Sequence, residues 1–216
     1  MKVGQLRKEF PILEGTVYGK TLVYLDNAAT SQRPLSVVDK WNEVTTKHNA
    51  NLHRAVHKLA ADATEEYEMA RKVVAKYIGA ESENQIVFTS GATASLNLVA
   101  FCFGEAFVNS GDEIIVSEAE HHSNIVPWQL MALRRGASVK VLPVDDSGHL
   151  RIDLLDGMIG SKTRLVAVSH VSNVLGIVNP VAEIAAICHR KGCALMVDGA
   201  QGIVHLKVDV QALDCD

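Results

Sequence analysis

No apolar run in this sequence approaches the ~20 consecutive residues that a membrane-spanning helix needs. The opening segment, MKVGQLRKEFPILEG, lacks the apolar centre of a signal peptide. No stretch carries charge of one sign, since 21 basic residues stand against 25 acidic ones for a net charge of −4. That balance disfavours membrane surfaces and nucleic acid as main partners. The four cysteines, Cys102, Cys188, Cys193 and Cys215, follow neither metal-ligand nor disulfide-framework spacing. These absences point to a cytoplasmic, reducing location. There is no internal repeat and no low-complexity tract. What remains is a chain of 216 residues, 48% apolar. It suits one domain of ordinary core size, or a large piece of a bigger one.

From residue 85 onward, short β-branched runs alternate with helical patterns. The predicted strands are QIVFTS (85–90), EIIVS (113–117), SVKVLPV (138–144), TRLVAVSHV (163–171) and CALMVDGA (193–200). Helices are predicted near 92–109, 124–135, 152–159 and 181–191. Several strands are continuously apolar, as buried parallel strands are. The alternation predicts an α/β fold with a mostly parallel sheet and helices on both faces. Two further helices are predicted upstream. In the first, Pro34 stands at the start and Val37, Trp41 and Val44 share a face. The second runs over LAADATEEYEMARKVVAKYIGA and stops at Gly79. They would pack against the sheet or against a second subunit.

In parallel sheets ligands bind beyond the carboxyl ends of the strands. Four such ends carry polar chemistry. After QIVFT, the segment SGATASLN offers Gly91, a helix start and the Thr93 hydroxyl. This is either a phosphate cup or an ordinary turn capped by Thr93. After EIIVS come His121 and His122. An imidazole there could stack on a flat cofactor or move protons; the alternative is a solvated loop with Ser123 or Asn124 as a helix cap. Adjacent histidines rarely converge on one ion, and His53 and His57 lack the acidic neighbour of a zinc motif, so no metal site is expected. After TRLVAVS, Asn173 offers an amide. After CALMV comes Asp198, a carboxylate at a buried strand end. It either caps a helix or meets a cation. Gln201 follows three residues on. Phosphate cup, ring, amide and carboxylate on one rim match pyridoxal 5′-phosphate (PLP), whose protonated ring nitrogen would pair with Asp198.

The segments YLDNAATSQRP (24–34), SEAEHHSNIVPWQ (117–129), HVSNVLG (170–176) and VDGAQ (197–201) resemble the aminotransferase class V family. Within it they look most like the SufS-type cysteine desulfurases of iron–sulfur cluster assembly. The resemblance implies the large domain of a PLP-dependent transferase of fold type I, incomplete at the C-terminus. Residues 1–30 would associate with the small domain and residues 31–216 would form part of the PLP-binding domain. It also implies a role for each matched residue. Thr93 would bind the phosphate, and His121 would stack on the pyridine and serve catalysis. Asn173 would contact cofactor and substrate. Asp198 would pair with the ring nitrogen, and Gln201 would bond the phenolic oxygen. Ala28, Ala29, His53 and Arg54 would line the substrate pocket. L-cysteine would be the substrate, with a sulfur-acceptor protein and a second copy of the chain as partners.

Three departures stand out. Ala94 follows Thr93 where the family often has Glu. The HRAVH segment has Ala55 where the family has Gly, so a glycine-only backbone conformation is expected to change there. The family's Ser-Gly-His-Lys motif, with the lysine that holds PLP, and its nucleophilic cysteine fall beyond Asp216. None of the four cysteines matches that nucleophile, and Lys207, on a predicted alternating strand HLKVDV, is a poor substitute. A chain ending here is expected to be inactive alone, and marginally stable or aggregation-prone because its sheet edge is uncovered. Two alternatives remain: a selenocysteine lyase or other class V enzyme, and a non-catalytic homologue acting as an interaction protein.

Overall fold

The computed structural model describes residues 3–216. The chain divides into two compact units, one ending at Arg71 and one beginning at Lys72. In the first, α1 (Val3–Arg7) precedes a hairpin of β1 (Thr16–Val17) and β2 (Lys20–Thr21). Tyr18 and Gly19 both take positive φ, +52° and +72°, as a two-residue hairpin turn requires. The Arg7 guanidinium donates to the carbonyls of Leu13 and Leu22, tying α1 to the chain on both sides of the hairpin. α2 (Leu35–Lys47) follows Pro34, as expected. α3 (Lys58–Ile78) stops at Gly79, whose φ of +72° supplies the left-handed exit. Val37 and Trp41 on α2 are exposed.

From Lys72 onward the order is α4 (Ala92–Phe107), β3 (Glu113–Ser117), α5 (Val126–Arg135), β4 (Ser138–Leu142), α6 (Ile152–Met158), β5 (Thr163–Ser169), α7 (Val181–Arg190), β6 (Ala194–Asp198), α8 (Gly202–His205) and α9 (Val210–Leu213). The four strands form one parallel sheet in the order β4-β3-β5-β6. Alternate residues face opposite layers. Ile114, Val116, Leu165 and Ala167 pack with Ala100, Trp128 and Met131 from α4 and α5. Ile115, Val166, Val168 and Leu195 pack with Leu155, Val181, Ile184 and Cys188 from α6 and α7. Both faces are therefore covered, which is why the strands read as continuous apolar runs. Each fully buried Ile, Leu or Val contributes ~1.5–3 kcal/mol. At the opposite end of the sheet from the candidate site, Asp112 is fully buried and takes two hydrogen bonds from Arg164, at 2.9 and 3.1 Å.

Two predicted strands are not formed. Residues 85–90 leave a 3-10 turn (Glu83–Gln85) at an extended Ile86 but do not join the sheet. Ile86 is buried, whereas Val87 and Phe88 are exposed. β-propensity becomes a strand only where a neighbour in register supplies the ladder. HLKVDV is likewise no strand. It links α8 to α9, where Asp209 caps α9 by accepting the N–H groups of Gln211 and Ala212. Its alternation of exposed and part-buried residues is that of a connecting segment, with Lys207 exposed as expected. In HRAVH the positive φ lies at His53 (+60°), and Ala55 does not take a glycine-type conformation. His53 and His57 precede α3 and therefore do not share a helical face.

Candidate functional site

Because the strands are parallel, β3, β5 and β6 all deliver their carboxyl ends to one rim. β5 and β6 end in register, with Ser169 opposite Asp198. The chain leaving β3 reaches Glu120 and His121 within four residues. The chain leaving β5 enters the loop that carries Asn173, and β6 ends on Asp198 itself. Parallel topology thus brings His121, Asn173, Asp198 and Gln201 to one edge of the sheet.

α4 brings Thr93 to the same end. Glu105 pairs with Arg134 and Arg135, and Gly104 lies against Met131, so the C-terminal halves of α4 and α5 lie together. α4 also packs on the 3-10 turn His122–Asn124 that precedes α5. The start of α4 therefore lies toward the rim. Its N-cap is Gly91, with φ +142° and nothing within 4 Å of where a Cβ would sit. The first helical bond runs from the Ser95 N–H to the Gly91 carbonyl, so the N–H groups of Ala92, Thr93 and Ala94 precede the ladder. Thr89 Oγ1 accepts the Gly91 N–H and lies 2.7 Å from Ser95 Oγ. Thr93 is exposed on the first turn and is not the cap. Donors and an open glycine are the makings of an anion site.

His121, not Ser123 or Asn124, is the residue that caps the next turn. Its Nδ1 accepts the Ser123 N–H at 3.1 Å and lies 2.7 Å from Ser123 Oγ. An accepting Nδ1 leaves the proton of the neutral ring on Nε2. The ring is exposed.

Asp198 is 8% exposed. Its Oδ1 accepts the Ala200 N–H at 3.0 Å, a turn bond and not a cap on α8, whose N-cap is Gln201. Among the described residues no cation pairs with Asp198. Gln201 is half-buried. Asn173 is exposed in a loop closed by Ser172 Oγ, which accepts the N–H groups of Val174 and Leu175, and by Gly176 at φ +68°.

Two residues at the rim escaped the sequence analysis. Glu120 is half-buried and accepts three hydrogen bonds: from the Ser117 hydroxyl, from the Asn124 amide at 2.6 Å and from the Ser169 N–H at 2.8 Å. Burial pushes its carboxyl above the usual range, and the negative charge of Asp198 adds to the rise. His170 is 6% exposed, and burial lowers its imidazole below the ordinary value. Its N–H donates to the Asp198 carbonyl at 2.9 Å. A signal for Glu120 existed in its spacing, three residues after Ser117 and four before Asn124; the contact with Ser169, 49 residues away, left none.

Ala28, Ala29, His53 and Arg54 belong to the unit ending at Arg71. Ala28 and Ala29 are exposed in a turn where Asp26 accepts the N–H groups of Ala29 and Thr30. The Tyr24 hydroxyl donates across that turn to Thr30 at 2.8 Å. His53 lies 3.2 Å from Glu68 and meets the Tyr67 ring edge-on, while Arg54 is exposed. Beyond Lys72, a separate apolar cavity of about 330 Å³ is walled by Val197, Gly199, Ile203, Val210 and Leu213, with His170 and Cys215 on its margin. It does not include His121, Asp198 or Thr93.

A family profile described as aminotransferase class-V matches residues 23–216. The whole chain aligns at 47% identity with a probable cysteine desulfurase of Halalkalibacterium halodurans, covering 53% of that protein. The apo structure of a cysteine desulfurase from Thermococcus onnurineus superposes with a TM-score of 0.90 at 39% identity, over all of this chain and 52% of that one. A mutant of C-DES with glycine covalently linked to its PLP cofactor superposes with a TM-score of 0.77 at 25% identity, over 97% of this chain and 53% of that one. The chain thus spans about half the length of these proteins.

Proposed function

The chain belongs to the aminotransferase class-V family, and we propose that it forms the cofactor bed of a PLP-dependent cysteine desulfurase. The observation that carries this is Asp198, a buried carboxylate at a strand end that no cation meets among the described residues. Such a group is costly unless a cation arrives. The pyridinium nitrogen of PLP is one, and a protonated ring is the form that withdraws electrons. The remaining donors fit the same molecule. Gly91 leaves space where a side chain would stand, and the exposed N–H groups of Ala92 to Ala94 with Thr93 suit a phosphate.

When bound, PLP supplies an electron sink for cleaving bonds at the substrate Cα. The chain's residues do the rest. Thr93 and the start of α4 hold the phosphate. Asp198 would keep the ring nitrogen protonated, and Gln201 would bond the phenolic oxygen. His121 would face the ring, with Nε2 the nitrogen free to move protons because Nδ1 is engaged by Ser123. Asn173 orients cofactor and substrate carboxylate. Ala28, Ala29, His53 and Arg54 line the L-cysteine pocket.

The finer identity is SufS-like: sulfur released from L-cysteine, with L-alanine as coproduct, passes to an acceptor protein of iron–sulfur assembly in a homodimeric, cytoplasmic enzyme. The closeness of the EHHSNIVPWQ and VDGAQ segments to that type supports it. Residues 31–216 are the cofactor-binding part in this proposal, and the 216-residue chain alone binds PLP without turning over cysteine. Titrating the chain with PLP and with pyridoxal, which lacks the phosphate, tests it. PLP should bind at least tenfold more tightly. Equal affinities would contradict the phosphate cup.

A further inference from the structure

We propose that Glu120 is a positioning residue of this site, one that fixes His121 relative to Asp198 by joining the exits of β3 and β5. The proposal rests on the cofactor reading above and extends it to a residue that touches neither cofactor nor substrate.

The observations are geometric. Oε1 bonds the Ser117 hydroxyl at the last residue of β3 and accepts the Ser169 N–H at the last residue of β5. Oε2 accepts the Asn124 amide, and Asn124 Oδ1 accepts the buried Trp128 indole N–H at 3.0 Å. One side chain therefore links two strand ends, the 3-10 turn and the first turn of α5. Its next neighbour along the chain is His121. Its neighbour through Ser169 is Asp198, the register partner on β6. A displacement of Glu120 must move one of these two groups against the other. Ser169 reinforces the point. Its N–H goes to Glu120 and its carbonyl accepts from Asn179 at 2.8 Å, while its buried hydroxyl has no partner among the described residues. The strand end is thus held by its backbone bonds, and Glu120, the residue before His121, makes one of them.

The chemistry of the group suits this role better than proton transfer. All three of its partners donate to its two oxygens, so it acts as an acceptor that ties them together, while burial first and the Asp198 charge after it raise the carboxyl above the usual range. Glu120→Gln conserves size and the oxygen facing Ser169. It places an NH₂ group against the NH₂ of Asn124, two donors with no acceptor between them. The clasp then opens on the His121 side.

The test is NMR of the cofactor-free chain labelled with ¹⁵N. In E120Q the ring nitrogens of His121, the Ser123 amide and the Asp198–Ala200 amides should shift together, and the tautomer fixed by Ser123 should be lost. Ser117→Ala removes a different partner of the same carboxyl and should move the same resonances less; it serves as the second variant should E120Q unfold. Signals of His121 and Asp198 that remain as in the wild type in a folded variant overturn the proposal, whatever the cofactor does. A PLP titration separates the two readings. Asp198→Asn should abolish binding. E120Q should weaken it about tenfold, the scale of one lost hydrogen bond, and should change the induced circular dichroism of the bound ring, which reports ring orientation. Loss in D198N with wild-type affinity and wild-type dichroism in E120Q would refute the positioning role alone. Unaltered binding in D198N would refute the cofactor reading, and the His121 signals would still decide Glu120.

Discussion

Ser169 and Asp198 stand opposite one another as the last residues of two adjacent parallel strands, and both are almost fully buried. Among the described residues, a hydroxyl without a partner and a carboxylate without a cation thus lie side by side at two strand ends. Folding tolerates such polar groups when a ligand completes them, and that expectation organises the predictions below.

Gly202 lies against His170. A Cβ on Gly202 would stand 2.6 Å from Nδ1 and 2.9 Å from Cγ of the buried ring. Gly202→Ala should therefore destabilise the chain by about 1–3 kcal/mol, the usual cost of overpacking. A lowered urea midpoint at unchanged slope checks it. Gly104→Ala meets the Cγ of Met131, a side chain packed in the core, so its cost should be of the same order.

Two histidines set opposite limits on stability against pH. His189 sits between Asp214 at 3.1 Å and Asp216 at 3.0 Å, and the Asp216 hydrogen bond raises its imidazole above 6.5. A raised value means stability present below the unfolded pKa and lost as pH rises through the folded one. Burial lowers His170, so its contribution is present above 6.5 and is lost as pH falls through the depressed folded value. Melting temperature should decline on both sides of this window, and His189→Gln should flatten the alkaline side only. A wild-type slope in that variant would contradict the pairing of His189 with Asp214 and Asp216.

The cysteines should react in an order set by burial. Cys102 is exposed on α4. Cys188 and Cys193 are brought together by the end of α7. There the Gly192 N–H donates to His189 and the Cys193 N–H to Cys188, the paired bonds of a Schellman turn. The hydrogen bond with Cys193 and burial push the Cys188 thiol up. Thiol reagents should label Cys102 first, Cys215 slowly, and Cys188 and Cys193 only on unfolding. Rapid labelling of Cys188 would mean that a helix-end thiol is available for chemistry.

Much of the sheet was legible because burial on both faces removes polar residues from the strands. EIIVS marked β3 to the residue, and the helices fell close to their predicted bounds. QIVFTS failed because a strand needs a pairing partner as well as β-branched side chains, and no run of sequence announces one. Asp198 was legible because a single carboxylate closing an apolar run is conspicuous. Glu120 was not: in EAEHHSN it looks like a third solvated acid. Only the fold brings Ser169 to it from 49 residues away. His170 was passed over beside Asn173 because nothing in HVSNVLG says that its ring lies under Gly202.

The protonation state of the cofactor nitrogen tests the central claim most directly. With PLP labelled at the pyridine ¹⁵N and bound to this chain, the wild type should give the shift of a pyridinium near neutral pH, and Asp198→Asn should give that of a neutral pyridine or lose the ligand. A neutral ring in the wild type, or a pyridinium that persists unchanged without the Asp198 carboxylate, would contradict the account.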